Sequence, residues 1–351
     1  MGEPLVAHYG AEWTSFYNET VELARKIFHT DGDVFLVPGS GSAGLDMALG
    51  STVAPAGRVL IPQNGFFGER LEEMARTYTP HIRTVKSPLG KPIDLGRVEE
   101  ELRREKFDVV AIVHCETSTG SINPIRELAE ICRCHGALLI VDAISSLGIE
   151  PLKMDVWGVG ICVSASQKGL ETPPGLALVA VGKEAWSRIE AVEGPGWYLS
   201  LKVWREYQEK WGDWHPHPII QPVNNVRALR VGMERIIREG LEARFRRHRE
   251  VAERLRRGLR ELGLEPLVAD DVASHGVTAA WGPEGNVDEL LAGLRERHGI
   301  LIAGGLGELK GKIFRIGHMG PGASDEAVDT VLSAIESVMG DGGSRGKKCG
   351  V

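Results

Sequence analysis

Lys168 lies in the run Ser164-Ala165-Ser166-Gln167-Lys168-Gly169-Leu170-Glu171-Thr172-Pro173-Pro174-Gly175, between an apolar segment and a stretch whose prolines and glycines exclude helix. An amine held near other cations and away from water gives up its proton readily and can condense with a carbonyl. Upstream, Leu138-Leu139-Ile140-Val141-Asp142-Ala143 ends an apolar run with a carboxylate. A carboxylate at a strand end is placed to hold a positively charged ring nitrogen, so the two residues suggest one site for amine and carbonyl chemistry.

Such a site needs a scaffold, and the chain offers one. Its 351 residues allow a large core and two domains. Continuous apolar runs at Val34–Val37, Val59–Ile61, Val109–Val113, Leu138–Val141, Ile161–Val163 and Leu176–Val181 read as strands buried on both faces. Between them, Glu69–Tyr78, Val98–Lys106 and Ile125–His135 have helical spacing. The alternation predicts an α/β fold with a largely parallel sheet, whose ligands bind beyond the carboxyl ends of the strands. From Val226 onward, apolar positions trace two helices separated by Gly240, followed by a smaller α/β unit with strands near Val277–Trp281 and Ile313–Ile316 and a final helix around Asp325–Met339.

Composition narrows the function classes. A net charge of −7 without a large basic block argues against nucleic acid or an anionic membrane as partner. No apolar run reaches the length of a membrane span, and the polar start Met1-Gly2-Glu3-Pro4 does not read as a signal peptide, so a cytoplasmic protein is expected. The cysteines Cys115, Cys132, Cys134, Cys162 and Cys349 are odd in number and scattered, which predicts no disulfide framework. Cys132-Arg133-Cys134-His135 lacks the spacing and the second ligand pair of a zinc site, so no metal is expected.

Gly39-Ser40-Gly41-Ser42-Ala43-Gly44 matches the dinucleotide fingerprint G-x-G-x-x-G after a strand and before a helix. The acidic residue that should follow the next strand to hold a ribose is missing, because Val59-Leu60-Ile61 runs into Pro62-Gln63-Asn64-Gly65. What survives is a glycine-lined helix N-terminus suited to a phosphate. A phosphate cradle, a carbonyl-reactive lysine and a ring-nitrogen aspartate together fit pyridoxal phosphate.

Gly39-Ser40-Gly41-Ser42, Asn64-Gly65-Phe66-Phe67-Gly68-Glu69-Arg70, His114-Cys115-Glu116-Thr117-Ser118-Thr119-Gly120, Val141-Asp142-Ala143-Ile144-Ser145-Ser146-Leu147-Gly148, Ser166-Gln167-Lys168 with Pro173-Pro174-Gly175, and Phe314-Arg315-Ile316-Gly317 follow one another along the chain. In this order they resemble the class V aminotransferases, in particular the alanine–glyoxylate and serine–pyruvate aminotransferase branch. The resemblance spans roughly residues 5 to 340. It implies the fold type I architecture of pyridoxal-phosphate-dependent transferases: a large domain with a mainly parallel seven-stranded sheet and a smaller C-terminal α/β domain. Carried over by position, it implies that Lys168 binds the cofactor covalently and shuttles a proton, and that Asp142 pairs with the pyridinium nitrogen. Gly41, Ser42 and Gln167 hold the phosphate, Phe67 stacks on the ring, and Ser118 or Thr119, with Ile144, contacts the cofactor. Arg315 forks the substrate carboxylate, a task suited to a planar guanidinium.

The residues themselves leave other uses open. Phe67 can be core, Ser118 and Thr119 can be turn residues bonding their own backbone, and Arg315 can be a structural ion pair. Two departures from the family pattern stand out: a Pro-Gly-Pro-Thr segment expected ahead of residue 5 is absent, and the loop Trp214-His215-Pro216-His217-Pro218 lacks the tyrosine and threonine that relatives lend to a neighbouring subunit's phosphate. His215 or His217 can substitute there or line an interface. Asn224 and Asn225 suit a ureido substrate or cap the following helix. The expected organisation is an N-terminal segment 1–13, shortened relative to the family, a large cofactor domain 14–239, a small domain 240–340 and a disordered tail 341–351.

The function expected is a pyridoxal-phosphate aminotransferase, a homodimer by resemblance, moving an amino group from alanine or serine, or from ureidoglycine, to glyoxylate or pyruvate in a ping-pong cycle. Alternatives are a cysteine desulfurase-like lyase, disfavoured because Gln167 precedes the lysine and Cys349 lies in the tail; an NAD-dependent dehydrogenase, disfavoured by the missing ribose acid; and a catalytically silent cofactor-binding protein.

Overall fold

In the computed structural model, which describes residues 4, 6–283 and 287–345, the apolar runs fold into one seven-stranded sheet. Its strands are β1 (Asp33–Pro38), β2 (Val59–Gln63), β3 (Ile82–Lys86), β4 (Val109–Val113), β7 (Leu138–Asp142), β8 (Ile161–Ala165) and β9 (Leu176–Val181). The two-residue strands β5 (Cys115–Glu116) and β6 (Ser121–Ile122) make a separate hairpin between β4 and β7. The spatial order is β1-β9-β8-β7-β4-β2-β3, and every strand but β9 runs the same way. The expected α/β class and mainly parallel seven-stranded sheet are therefore what the chain forms. Only β3 has no counterpart among the apolar runs. It is the edge strand, Ile-Arg-Thr-Val-Lys, and buries Val85 alone, so its polar residues face solvent.

Alternation along the central strands divides the core in two. Leu36, Val110, Ile112 and Val141 point to one face, where they pack under α1 (Ala11–Phe28), α4 (Leu95–Arg104), α5 (Ile125–Cys134) and α9 (Val223–Glu239). Val37, Val109, Ala111 and Val163 point to the other, under α2 (Gly41–Thr52), α3 (Phe66–Arg76), α7 (Ala185–Glu190) and α8 (Leu201–Trp211). The one-turn helix α6 (Met154–Trp157) precedes β8. Helices on both faces explain why the strands read as unbroken apolar runs.

Gly240, at φ 82°, separates α9 from α10 (Leu241–Glu261), a left-handed conformation that glycine adopts without a Cβ penalty. Beyond it, α10, β10 (Val277–Trp281), α11 (Val287–His298), β11 (Ala303–Gly304), β12 (Ile313–Gly317) and α12 (Asp325–Arg345) build a three-stranded antiparallel sheet with its own apolar cluster around Leu255, Leu290, Phe314 and Ile335. Helix α12 runs on through residues 341–345, which the sequence assigns to a disordered tail; the rest of that tail, 346–351, lies outside the described residues.

Candidate active site

Three strand ends meet at one cavity. Asp142 closes β7, Lys168 follows β8 within three residues, and helix α2 starts just past β1; all three border the same hollow together with Ser42, Phe67 and Gln167. Gly41 and Ile144 also line it. Of the ten residues expected in the site, the structure thus brings seven to one cavity: Gly41, Ser42, Phe67, Asp142, Ile144, Gln167 and Lys168.

Each is held by local chemistry. A Cβ on Gly41 would stand 2.3 Å from Ile144 Cδ1, so only glycine lets the start of α2 approach the loop after Asp142. The cap residue Ser40 makes no side-chain hydrogen bond to the helix, which leaves the first N–H groups of α2 facing the cavity as an anion site. Asp142 Oδ1 accepts from the Ile144 N–H at 2.9 Å; its other oxygen has no hydrogen-bond partner among the described residues. Burial raises this carboxyl to about 7, opposed by the Ile144 bond and reinforced by the nearby Glu116 charge. A buried carboxylate with one free oxygen calls for a cation, and a protonated ring nitrogen supplies one. Burial likewise holds the Lys168 ammonium below its ordinary value, and the Arg315 charge adds to that effect. A depressed lysine is the state from which an amine attacks a carbonyl or takes up a proton.

Glu116, which sequence reasoning passed over, positions Phe67. It is fully buried and accepts from the N–H groups of Phe67 at 3.3 Å and Gly68 at 3.0 Å, so a carboxylate from β5 caps helix α3, whose own N-cap is Gly65. That cap sets where the Phe67 ring stands. The hydroxyls of Ser118 and Thr119 are turned away from the cavity. Ser118 Oγ donates to Glu116 and accepts from Phe66 N, Thr119 Oγ1 bonds Glu116 O and Ser121 Oγ, and neither lines the cavity. Thr117 does line it, with its hydroxyl donating to Ser145 Oγ at 2.9 Å. Ser118 and Thr119 both belong to the tight turn between β5 and β6, which includes Gly120 at φ 80°.

Arg315 does not form the cavity wall; it lies beside it. From β12 its Nε donates to Gly304 O and its Nη1 to Thr117 O, each at 2.9 Å, which ties the small sheet to the cavity-lining turn and leaves Nη2 without a partner among the described residues. His217 takes no part: it is fully buried, accepts from Trp13 Nε1 and donates through Nδ1 to Ile219 O, and burial pushes it down to about 3. Asn225 donates to Pro174 O, and neither it nor Asn224 lines the cavity. His114, also absent from the cavity, is buried and held at about 4.

Residues 4–308 match the model of the aminotransferase class-V family. The chain belongs to that family. It is 36% identical to an aminotransferase of Methanocaldococcus jannaschii over all of its own length and 91% of that protein's, and 32% identical to the (S)-ureidoglycine–glyoxylate transaminase of Bacillus subtilis over 97% of this chain and 88% of that one. The crystal structure of alanine–glyoxylate aminotransferase from Nostoc matches with a TM-score of 0.92 at 32% identity, covering 96% of this chain and 90% of that one. Arg70, quoted within a motif but given no role, also borders the cavity in this class-V aminotransferase.

Proposed function

We propose that the chain is a pyridoxal-phosphate-dependent aminotransferase that moves an amino group from a small amino acid, alanine or serine, to glyoxylate or pyruvate in a ping-pong cycle. The observation that carries this reading is the meeting of Lys168 and Asp142 with the N-terminus of α2 around one cavity. When bound, pyridoxal phosphate supplies an aldehyde that takes the amino group and a ring that accepts electrons. Gly41, Ser42 and Gln167 would hold its phosphate, Asp142 would keep a proton on its ring nitrogen, and Phe67 and Thr117 would contact it from the cavity wall. Lys168 Nζ accepts the proton from the substrate's Cα and returns one to the product side. Nη2 of Arg315 receives the α-carboxylate that donor and acceptor share, with part of its fork already engaged by Thr117 O and Gly304 O.

Alanine and glyoxylate are favoured because the structurally similar Nostoc enzyme is named for them. Ureidoglycine, named for the Bacillus relative, is a less favoured donor, since Asn224 and Asn225 do not reach the cavity. We also propose a cytoplasmic homodimer. No described helix is long and apolar enough to cross a membrane, and the exposed rings of Trp197, Trp211 and Trp214 suit a face shared with a second copy. The test is a donor screen against glyoxylate and pyruvate, with keto-acid product measured. Turnover of alanine or serine is expected; a screen in which no amino acid is consumed while the cofactor stays bound contradicts transaminase activity.

A further inference from the structure

We infer that Arg70 is a second anchor for the cofactor's phosphate, acting together with the start of α2 in the same cavity. The inference rests on the proposed cofactor. A phosphate monoester carries close to two negative charges at neutral pH, whereas the groups at its cradle, the N–H donors of α2 with Ser42 and Gln167, are neutral. Among the described residues only two cations line the cavity, Lys168 and Arg70. Lys168 is committed to the carbonyl carbon and works without its charge. Arg315 lies beyond the wall, tied to Gly304 O and Thr117 O. That leaves Arg70 to balance the phosphate.

Its setting fits the task. The guanidinium lies over the rings of Phe66 and Phe67, 5.1 and 5.2 Å from their centroids, and it makes no ion pair or hydrogen bond among the described residues. Ring faces hold a guanidinium in place while leaving its N–H fork free for an oxyanion. Next to it, Leu45, Leu71 and Met74 form an apolar wall between α2 and α3, which keeps water from screening the charge on that side. The Arg70 charge also reaches Asp142, whose carboxyl it lowers, so two roles compete: phosphate anchor, or electrostatic partner of the ring-side carboxylate.

Pyridoxal, which has the ring but no phosphate, separates them. The full-length protein and its Arg70→Gln variant, both stripped of cofactor, are titrated with pyridoxal phosphate and with pyridoxal while the visible band is followed. A phosphate anchor predicts that the variant binds pyridoxal phosphate about tenfold more weakly or worse, with pyridoxal affinity changed less than about twofold. Equal losses for both ligands would assign Arg70 to Asp142 or to the placement of Phe67, and no loss for either would leave it outside the site; both results overturn the inference. Arg70→Met keeps the length and helix propensity and gives the same comparison if the glutamine variant does not fold. A wild-type protein that takes up neither ligand would overturn the cofactor reading itself.

Discussion

Asp142 and Arg315 act at different stages, and single substitutions separate them. Asp142→Ala removes the carboxylate that keeps the ring nitrogen charged, so kcat is expected to fall by roughly 10²–10³-fold, with the protein still folded; near-normal turnover would make Asp142 a strand-end residue and nothing more. Arg315→Lys keeps the charge but loses the fork. Apparent affinity for amino acid and keto acid should weaken together by about 10- to 100-fold, or roughly 1.4–2.7 kcal/mol, from loss of the charge-assisted hydrogen bonding at Nη2, while the visible spectrum stays intact; steady-state KM for both substrates checks it. At this scale the sequence pointed to most of the residues that border the cavity, since Lys168 and Asp142 stand at or just past the ends of legible apolar strands. It did not show that Thr117, rather than Ser118 or Thr119, borders the cavity, because which hydroxyl faces inward is set by the turn between β5 and β6. Glu116 was invisible as a cap because its partner helix begins some fifty residues earlier in the chain.

Among the elements, α2 approaches the loop after β7 closely at the site. Gly41→Ala would drive a Cβ to 2.3 Å from Ile144 Cδ1, a clash that costs roughly 1–3 kcal/mol whether taken as strain or as movement of α2. The expected outcome is weaker cofactor binding with a lower melting temperature; a variant that matches wild type in both would show that Ile144 swings clear at no cost. The central strands were legible because burial on both faces leaves them uniformly apolar. The edge strand β3 was not, since an exposed edge mixes Arg, Thr and Lys with Ile and Val. Helices α3, α4 and α5 were placed within a few residues, with α3 starting earlier than its apolar spacing suggested because its cap comes from β5, whereas α1, α7, α8 and α11 were not picked out.

For the whole molecule, buried histidines set an acid limit. His114 and His248 are held at about 4 and His318 at about 3, in each case chiefly by burial. The folded protein therefore binds fewer protons at these groups than the unfolded chain, whose histidines titrate at 6.5. Their contribution is complete above pH 6.5 and is lost as pH falls towards 4, by roughly 1–3 kcal/mol for each histidine. His217, held at about 3, acts in the same direction, whereas Asp142, raised to about 7, and Glu116, also raised by burial, work the other way in cofactor-free protein, two carboxyls against four histidines. Denaturant melts at pH 7.5, 6 and 5 should show stability falling with pH, and His114→Gln should flatten the slope; a flat or rising profile would contradict the burial of these rings in solution. The overall architecture was readable from the alternation of apolar runs and helical spacing. The way Arg315 ties the small sheet to the Thr117 turn was not, because residues so far apart in sequence leave no local pattern.

The central claim, that Lys168 carries the cofactor at the meeting point of β7, β8 and α2, is tested most directly by borohydride reduction of the purified protein followed by peptide mass spectrometry. The account predicts a visible band that reduction abolishes, with a pyridoxyl-phosphate mass fixed on the peptide containing Lys168, and no such adduct in Lys168→Ala, which should bind cofactor yet fail to turn over. A reduced protein whose Lys168 peptide stays unmodified, or whose adduct maps to another lysine, would contradict it.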